Sequence, residues 1–359
     1  MVSMLDCIKR VPSILETILD HREETFAPLW TTFGARMNEV DEIVLVGSGT
    51  SNTSSITARY LAERLSGIRV SVTVPNEFLY SLTARNPKAL YLFLSQTGTS
   101  ILTRQALHYA LEQGFLTAAL SEAATTPIAR EAGVFLDMHC GKEEYPMRTI
   151  GYSASVLGVA MLAVEIGRRR GTLSATKVED AMAQARAAAA SIPAVIDATM
   201  AWLDANRRNM LRCESIIFYG SGSLYGVALE GAVKVWETPQ ITTMGFELEE
   251  GLHGPNYGYT QRHCVIVLND GGVDDAKARA MASYMRVEKS NGFLVGANAD
   301  APSDLAFDPK GGMFACLEFA AVVQTLAFRL AVDQGRDLYA PHDNSAMEKY
   351  FRSHSADDK

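Results

Sequence analysis

Cysteine is scarce and unpatterned in this sequence. There are five (Cys7, Cys140, Cys213, Cys264, Cys316) among 359 residues, odd in number and widely scattered, with no C-x-x-C pair. That gives no disulfide framework and no zinc or dithiol motif, and the thiols read as buried side chains in a reducing compartment. Basic charge is also short: 33 Lys and Arg stand against 41 Asp and Glu, a formal charge of -8, and the longest basic run is Arg168-Arg169-Arg170. Nucleic acid is therefore not an expected partner. The first ten residues carry Asp6, Lys9 and Arg10 and lack the apolar centre of a signal peptide. The most apolar helical stretch, 154–163, is too short to span a bilayer. These features predict a cytoplasmic protein that does not bind membranes. Neither G-x-G-x-x-G nor G-x-x-x-x-G-K-[ST] occurs, which disfavours a nucleotide cofactor.

What is present is an internal repeat. Ile43-Val44-Leu45-Val46-Gly47-Ser48-Gly49-Thr50-Ser51 is echoed in the second half by Ile216-Ile217-Phe218-Tyr219-Gly220-Ser221-Gly222-Ser223. Ala89–Leu94, ending at Ser95-Gln96-Thr97-Gly98, is echoed by Val265–Leu268, ending at Asn269-Asp270-Gly271-Gly272. Further apolar runs lie at 116–120, 134–136, 292–296 and 305–307. Helical patterns lie between them, at 54–65, 101–112, 154–168, 226–238, 276–290 and 313–331. Short, uniformly apolar strands alternating with helices imply βαβ units around a parallel sheet buried on both faces. The predicted fold is α/β, a duplicated doubly wound parallel-sheet sandwich. Its expected divisions are a helical lead-in over 1–40, a first domain over 41–170, connecting helices over 171–209 with Pro193 near their middle, a second domain over 210–338, and a mostly irregular tail over 339–359.

In open parallel sheets, ligands bind beyond the carboxyl ends of the strands. Ser95-Gln96-Thr97-Gly98-Thr99-Ser100 sits there, with four hydroxyls and an amide ahead of a helix whose first amides and dipole favour an anion. A Ser/Thr helix cap is the ordinary reading of any one hydroxyl, but a cap needs one side chain and not four. The segment is read as a phosphate site, with Ser48-Gly49-Thr50-Ser51 as its opposite wall. In the second half, Glu230, Lys234 and Glu237 fall within about 60° of one another on one helix face, two carboxylates flanking one ammonium. The ordinary reading is a solvated ion-pair face worth about 0.3–0.5 kcal/mol. His253, in Leu252-His253-Gly254-Pro255 on a loop past a strand-like run, is a candidate proton shuttle for opening a sugar ring. Other features are left in structural roles: the 143–148 segment as an ordinary polar loop, His139-Cys140 as an incomplete metal pair, Trp202 and Trp236 as packing residues, and Asp274-Asp275 as a solvated helix start.

The motifs Gly-Ser-Gly-Thr-Ser, Ser-Gln-Thr-Gly-Thr-Ser, Ala-Leu-Glu-Gly-Ala-Val-Lys-Val-Trp-Glu and Leu-His-Gly-Pro, in this order over roughly residues 8–338, resemble the tandem sugar isomerase (SIS) domain family. The resemblance is to the isomerase half of glucosamine-6-phosphate synthase and to fructosamine-phosphate deglycases. It implies that Ser51, Ser95, Gln96, Thr97 and Ser100 hold a substrate phosphate, and that Glu237 moves a proton between C1 and C2. Glu230 and Lys234 would support the site, and His253 would come from the neighbouring subunit of an obligate homodimer. It implies no cofactor and no metal. Two departures guide the choice of reaction. The chain begins Met1-Val2-Ser3, without an N-terminal cysteine nucleophile, so no glutaminase activity is expected. Ala340 stands where the synthase has its Schiff-base lysine, which leaves Lys142, Lys349 and Lys359 as substitutes. The expected function is a deglycase or deaminase acting on a phosphorylated amino sugar or fructosamine. Aldose–ketose phosphosugar isomerisation and sugar-phosphate sensing without catalysis are the alternatives.

Overall fold

The computed structural model describes residues 2–339 and 345–355. Two helices lead, α1 (Met4–Asp20) and α2 (Arg22–Phe33). A first set of elements follows: β1 (Glu42–Val46), α3 (Thr50–Ser66), β2 (Arg69–Thr73), α4 (Pro75–Tyr80), β3 (Ala89–Leu94), α5 (Ile101–Glu112), β4 (Leu116–Ser121), α6 (Pro127–Glu131), β5 (Phe135–Asp137) and α7 (Ile150–Arg170). After the long α8 (Ala175–Leu211) come β6 (Ser215–Gly220), α9 (Ser223–Glu237), β7 (Thr242–Glu247), β8 (His263–Asn269), α10 (Asp275–Lys289), β9 (Gly292–Gly296), β10 (Leu305–Ala306), α11 (Ala315–Asp333) and, in the tail, α12 (Ser345–Glu348). The chain divides into two compact units. One takes in 14–143, 150–179 and the described tail; the other takes in 2–13, 144–149 and 180–339.

Each unit holds one five-stranded parallel sheet, in the order β2-β1-β3-β4-β5 and β10-β9-β8-β6-β7. Read from the opposite edge, the second order is the first one repeated, with β6 in the place of β1. The central strands are apolar throughout because helices cover both faces: β1, β3, β4 and β6 are buried at every position. The duplication extends to backbone angles. Gly49 and Gly222, which precede α3 and α9, have φ/ψ of 59/-129° and 55/-128°. A side chain would meet open space at both, so it is the positive φ that calls for glycine.

α7 is buried from Ile150 to Gly167. It is tied to α3 by Thr57 Oγ1 and the Tyr152 hydroxyl, 2.6 Å apart. The sequence placed only ten very apolar residues here, too few for a membrane. In fact α7 (21 residues) and the helical stretch Gly312–Asp333 (22 residues) are long and apolar enough to cross one, but their most apolar windows are 100% and 83% buried inside the fold. Three other expectations change. Lys177–Asn209 is not several helices: α8 is a single helix of 37 residues that runs through Pro193, with Ala185, Ala188, Ala189, Ile192, Val195 and Ile196 as its buried stripe. β2 and α4 are present where no element was expected. Trp202 is packed, its Nε1 donating to the Ser303 carbonyl at 2.7 Å, but Trp236 is 52% exposed, with its Nε1–H donating to the Thr243 carbonyl at 3.1 Å. All five cysteines are buried and unpaired as disulfides; burial pushes the Cys140 thiol well up and the Cys316 thiol up to about 12.

Candidate active site

In the first unit the strand order reverses between β1 and β3, which lie side by side with Val46 opposite Phe93. That reversal opens a crevice beyond their carboxyl ends. The segments that follow these strands, 48–51 and 95–100, are the two hydroxyl-rich segments identified from sequence. Ser48 and Gly49 are exposed, and Thr50 and Ser51 are half-buried. On the other side, Ser95 (6% exposed), Gln96 (8%) and Thr99 (2%) are buried, and Thr97 and Ser100 are partly so. This second segment is pinned by its backbone. Ser95 N–H donates to the Leu120 carbonyl (3.2 Å), the Gln96 carbonyl accepts from Glu122 N–H (3.0 Å) and Ser121 Oγ (2.8 Å), and the Gly98 carbonyl accepts from Ile128 N–H (3.2 Å). Its hydroxyls are paired as well, Thr97 with Thr99 and Ser100 with Thr103, each pair at 2.8 Å.

Among the described residues no side chain caps α5, although Ser100 stands at its N-cap. The tail does so instead. The Ser353 carbonyl accepts from Ile101 N–H (3.0 Å), Ser355 N–H donates to the Thr99 carbonyl (2.9 Å), and His354 bridges Ser100 in antiparallel fashion. Nothing in the local sequence of 95–101 signals this partner, which is brought in from the far end of the chain. Ala340, Pro341, His342 and Lys359 lie outside the described residues. Lys142 and Lys349 are exposed.

The second unit repeats the crevice between β6 and β8 but fills it differently. The head of α10 already holds a carboxylate: Asp275 Oδ1 accepts from Asn269 Nδ2 (2.9 Å) and Asn298 Nδ2 (2.8 Å), and these bonds keep its pKa below the usual carboxylate range. Asp270 accepts from Gly272 N–H at 2.9 Å.

The charged set of this unit is on α9. Glu230 and Lys234 are each 0% exposed. Lys234 Nζ lies 2.6 Å from Glu237 Oε2 and 3.7 Å from Glu230 Oε1, while the Glu237 side chain stays 38% exposed. Glu230 also accepts from Gln324 Nε2 at 3.4 Å. The three residues do share a face, and it is not a solvated one: a buried ammonium joins a buried carboxylate to one that reaches solvent. Tyr145, given only a polar-loop role from sequence, is buried at the same helix end. Burial raises its phenol pKa, the Tyr339, Cys7 and Glu237 groups add to the effect, and Arg336 opposes it. Arg336 itself reaches Gln240 Oε1 at 2.7 Å. The signal that could have found Tyr145 is absent from its neighbours in sequence, because every group it faces comes from elsewhere in the chain.

His253 follows β7 in the place where the first unit has α4. It is exposed, with Nε2 3.1 Å from Glu249 Oε1, and Glu249 is also paired with Lys277, whose ammonium lowers its pKa. The segment is held from below. Gly251 rests on the ring of Tyr219, whose hydroxyl donates to the Gly251 carbonyl (3.1 Å) and pairs with the Tyr259 hydroxyl. Tyr219→Phe leaves that buried carbonyl and the Tyr259 hydroxyl without their partner, with an expected cost of about 1–3 kcal/mol in urea unfolding; a loss below a few tenths would mean the tyrosine pair does not hold the loop. Glu237 stands before the amino end of β7 and His253 beyond its carboxyl end. The six residues of β7 alone put about 16 Å between them along the strand.

Residues 37–165 match the model of the SIS domain. The chain carries a SIS domain. It is 26% identical over 317 residues to glutamine–fructose-6-phosphate aminotransferase (isomerizing) of Zymomonas mobilis, a match covering 86% of this chain and 52% of that protein. The chain thus spans about half the length of the curated relatives it matches. Among solved structures, a candidate phosphosugar isomerase of Clostridium difficile 630 superposes with a TM-score of 0.89 at 21% identity, covering 99% of this chain and 100% of that one. The C-terminal domain of glucosamine-fructose-6-phosphate aminotransferase from Francisella tularensis gives 0.86 at 19% identity, covering 94% and 97%. Both likenesses span the two sheets, so the SIS-type fold is present in duplicate. The SIS match contains both hydroxyl-rich segments, and α9 and the His253 loop lie in the second copy.

Proposed function

We propose that this SIS protein binds a sugar phosphate and removes an amine from a phosphorylated amino sugar or fructosamine through proton transfer between C1 and C2. The observation that carries the proposal is the α9 set, a solvent-reaching Glu237 carboxylate held by a buried ammonium. With a fructosamine phosphate, Glu237 takes the C1 proton to give the enaminol, and return of a proton at C2 gives the C1 imine. Water then adds to the imine carbon, and the amine leaves with its electron pair and a proton. With a 2-amino sugar phosphate, the same transfer runs from C2 to C1. Lys234 serves as an electrostatic partner and not as an imine-forming amine, because a fully buried ammonium between two carboxylates has no free electron pair to offer. Ser51, Ser95, Gln96, Thr97 and Ser100 hold the phosphate, with Ser48, Gly49 and Thr50 completing the wall.

His253 acts as acid and base in ring opening. The separation of Glu237 and His253 along β7 supports its delivery by a second copy, and therefore a homodimer with shared sites. Aldose–ketose isomerisation uses the same shuttle on a hydroxylated substrate and is the second reading, supported by the isomerising relatives. The test is proton NMR in D₂O with glucosamine 6-phosphate, a fructosamine 6-phosphate and fructose 6-phosphate. Deuterium at C1 or C2 together with amine release supports the proposal. Exchange with ketose–aldose conversion and no amine release replaces it with the isomerase, and binding without any exchange replaces it with a sensing role.

A further inference from the structure

Glu143 lies just past β5 in a segment that reads as an ordinary polar loop, yet its carboxylate is 2% exposed. Oε1 accepts from Ile150 N–H at 3.1 Å; Oε2 accepts from Gly151 N–H at 3.2 Å and from Gln96 Nε2 at 3.3 Å. The first two bonds take up orphan amides at the head of α7, where the helix dipole favours a negative charge. The third reaches into the 95–100 segment. An ionised carboxylate only accepts, so the Gln96 amide must present its nitrogen to Glu143 and its oxygen the other way. That oxygen lies against Gly151, where an added Cβ would come within 1.8 Å of it and within 2.6 Å of Cδ. Gln96 Oε1 is buried with no hydrogen-bond partner among the described residues, so hydrogen bonding on the oxygen side does not fix this orientation. Charge on one side and close packing on the other do.

We infer that Glu143 and Gly151 are positioning residues for Gln96, and that through it they set the affinity of the crevice for phosphate. One hydrogen of the amide is spent on Glu143, and the second is left as a donor to a phosphate oxygen. The negative charge that would otherwise repel the ligand is tied down by the two α7 amides. The inference rests on the reading of 95–100 as the phosphate site.

The test uses the full chain and inorganic phosphate as the probe, titrated calorimetrically, alongside steady-state kinetics with the substrate found above. Gln96→Ala is the reference, with an expected loss in phosphate affinity of roughly ten- to a hundredfold for a hydrogen bond to a charged group. Gly151→Ala, which keeps the carboxylate but displaces the amide, is expected to weaken phosphate binding and raise KM by a similar factor, with kcat within about twofold. Glu143→Gln is expected to lie in between, because a glutamine can still accept from the amides. The double variant Gly151→Ala/Gln96→Ala should be no worse than Gln96→Ala alone. If Gln96→Ala weakens phosphate while Gly151→Ala and Glu143→Gln do not, or if the effects add in the double variant, the positioning role is wrong. If Gln96→Ala itself leaves phosphate affinity unchanged, the phosphate site is elsewhere and the inference falls with it.

Discussion

Glutamine in place of Glu237 is expected to slow exchange of the carbon-bound proton by roughly 10²- to 10⁴-fold, the usual contribution of a positioned general base. The substitution keeps the shape and removes the acceptor for the proton. If the base acts only on the bound substrate, kcat carries the loss and KM stays close to its original value. The folded state should tolerate the change. Glu237 is 38% exposed, and Lys234 keeps its second carboxylate, Glu230, at 3.7 Å. Deuterium incorporation followed by NMR separates this from loss of binding, because phosphate affinity should be unaltered. A variant that exchanges within threefold of the parent would remove Glu237 from the reaction and leave α9 as a structural helix.

The largest effect on stability is expected from Lys234→Met. The ammonium is 0% exposed and lies between two carboxylates, so its removal takes from Glu230, also 0% exposed, its cationic partner. Breaking a buried pair in this way typically costs about 3–5 kcal/mol, against about 0.3–0.5 kcal/mol for a solvated pair at helical spacing. The tenfold difference between those figures separates a buried charge set from a solvated one. Urea unfolding followed by circular dichroism should show a large drop in midpoint with little change in slope. Removing the stranded charge as well, in Lys234→Met/Glu230→Gln, should recover a substantial part of the loss, a coupling that a double-mutant cycle measures directly. A single variant that loses under 1 kcal/mol would mean that water reaches this pair.

The strands were legible because their chemistry is local. Ile43–Val46 and Ile216–Tyr219 are β-branched and aromatic runs closed by glycine, and a run buried on both faces needs no polar alternation to be recognised. β2 escaped because it is an edge strand whose first residue, Arg69, is exposed, and α4 because six residues carry too little periodicity. Pro193 suggested a break in α8, yet the flanking Ala-rich sequence carries enough helix propensity, and enough buried surface, to absorb it. The face shared by Glu230, Lys234 and Glu237 follows from spacing alone. Its burial does not, since that depends on Gln324 and the elements packed over the helix. Glu143 shows the same limit: two of its partners are seven and eight residues on and the third is 47 residues back.

The two sheets share one strand order, but the segments that follow their central strands differ in charge. In the first, the strands lead into hydroxyls and an amide. In the second, Asp275 already sits among the donors at the head of α10, with Asp270 and Asp274 beside it. A duplicated scaffold would ordinarily double its capacity. Here the second copy answers its own helix dipole with a carboxylate of its own, so the two copies are not equivalent toward an anion.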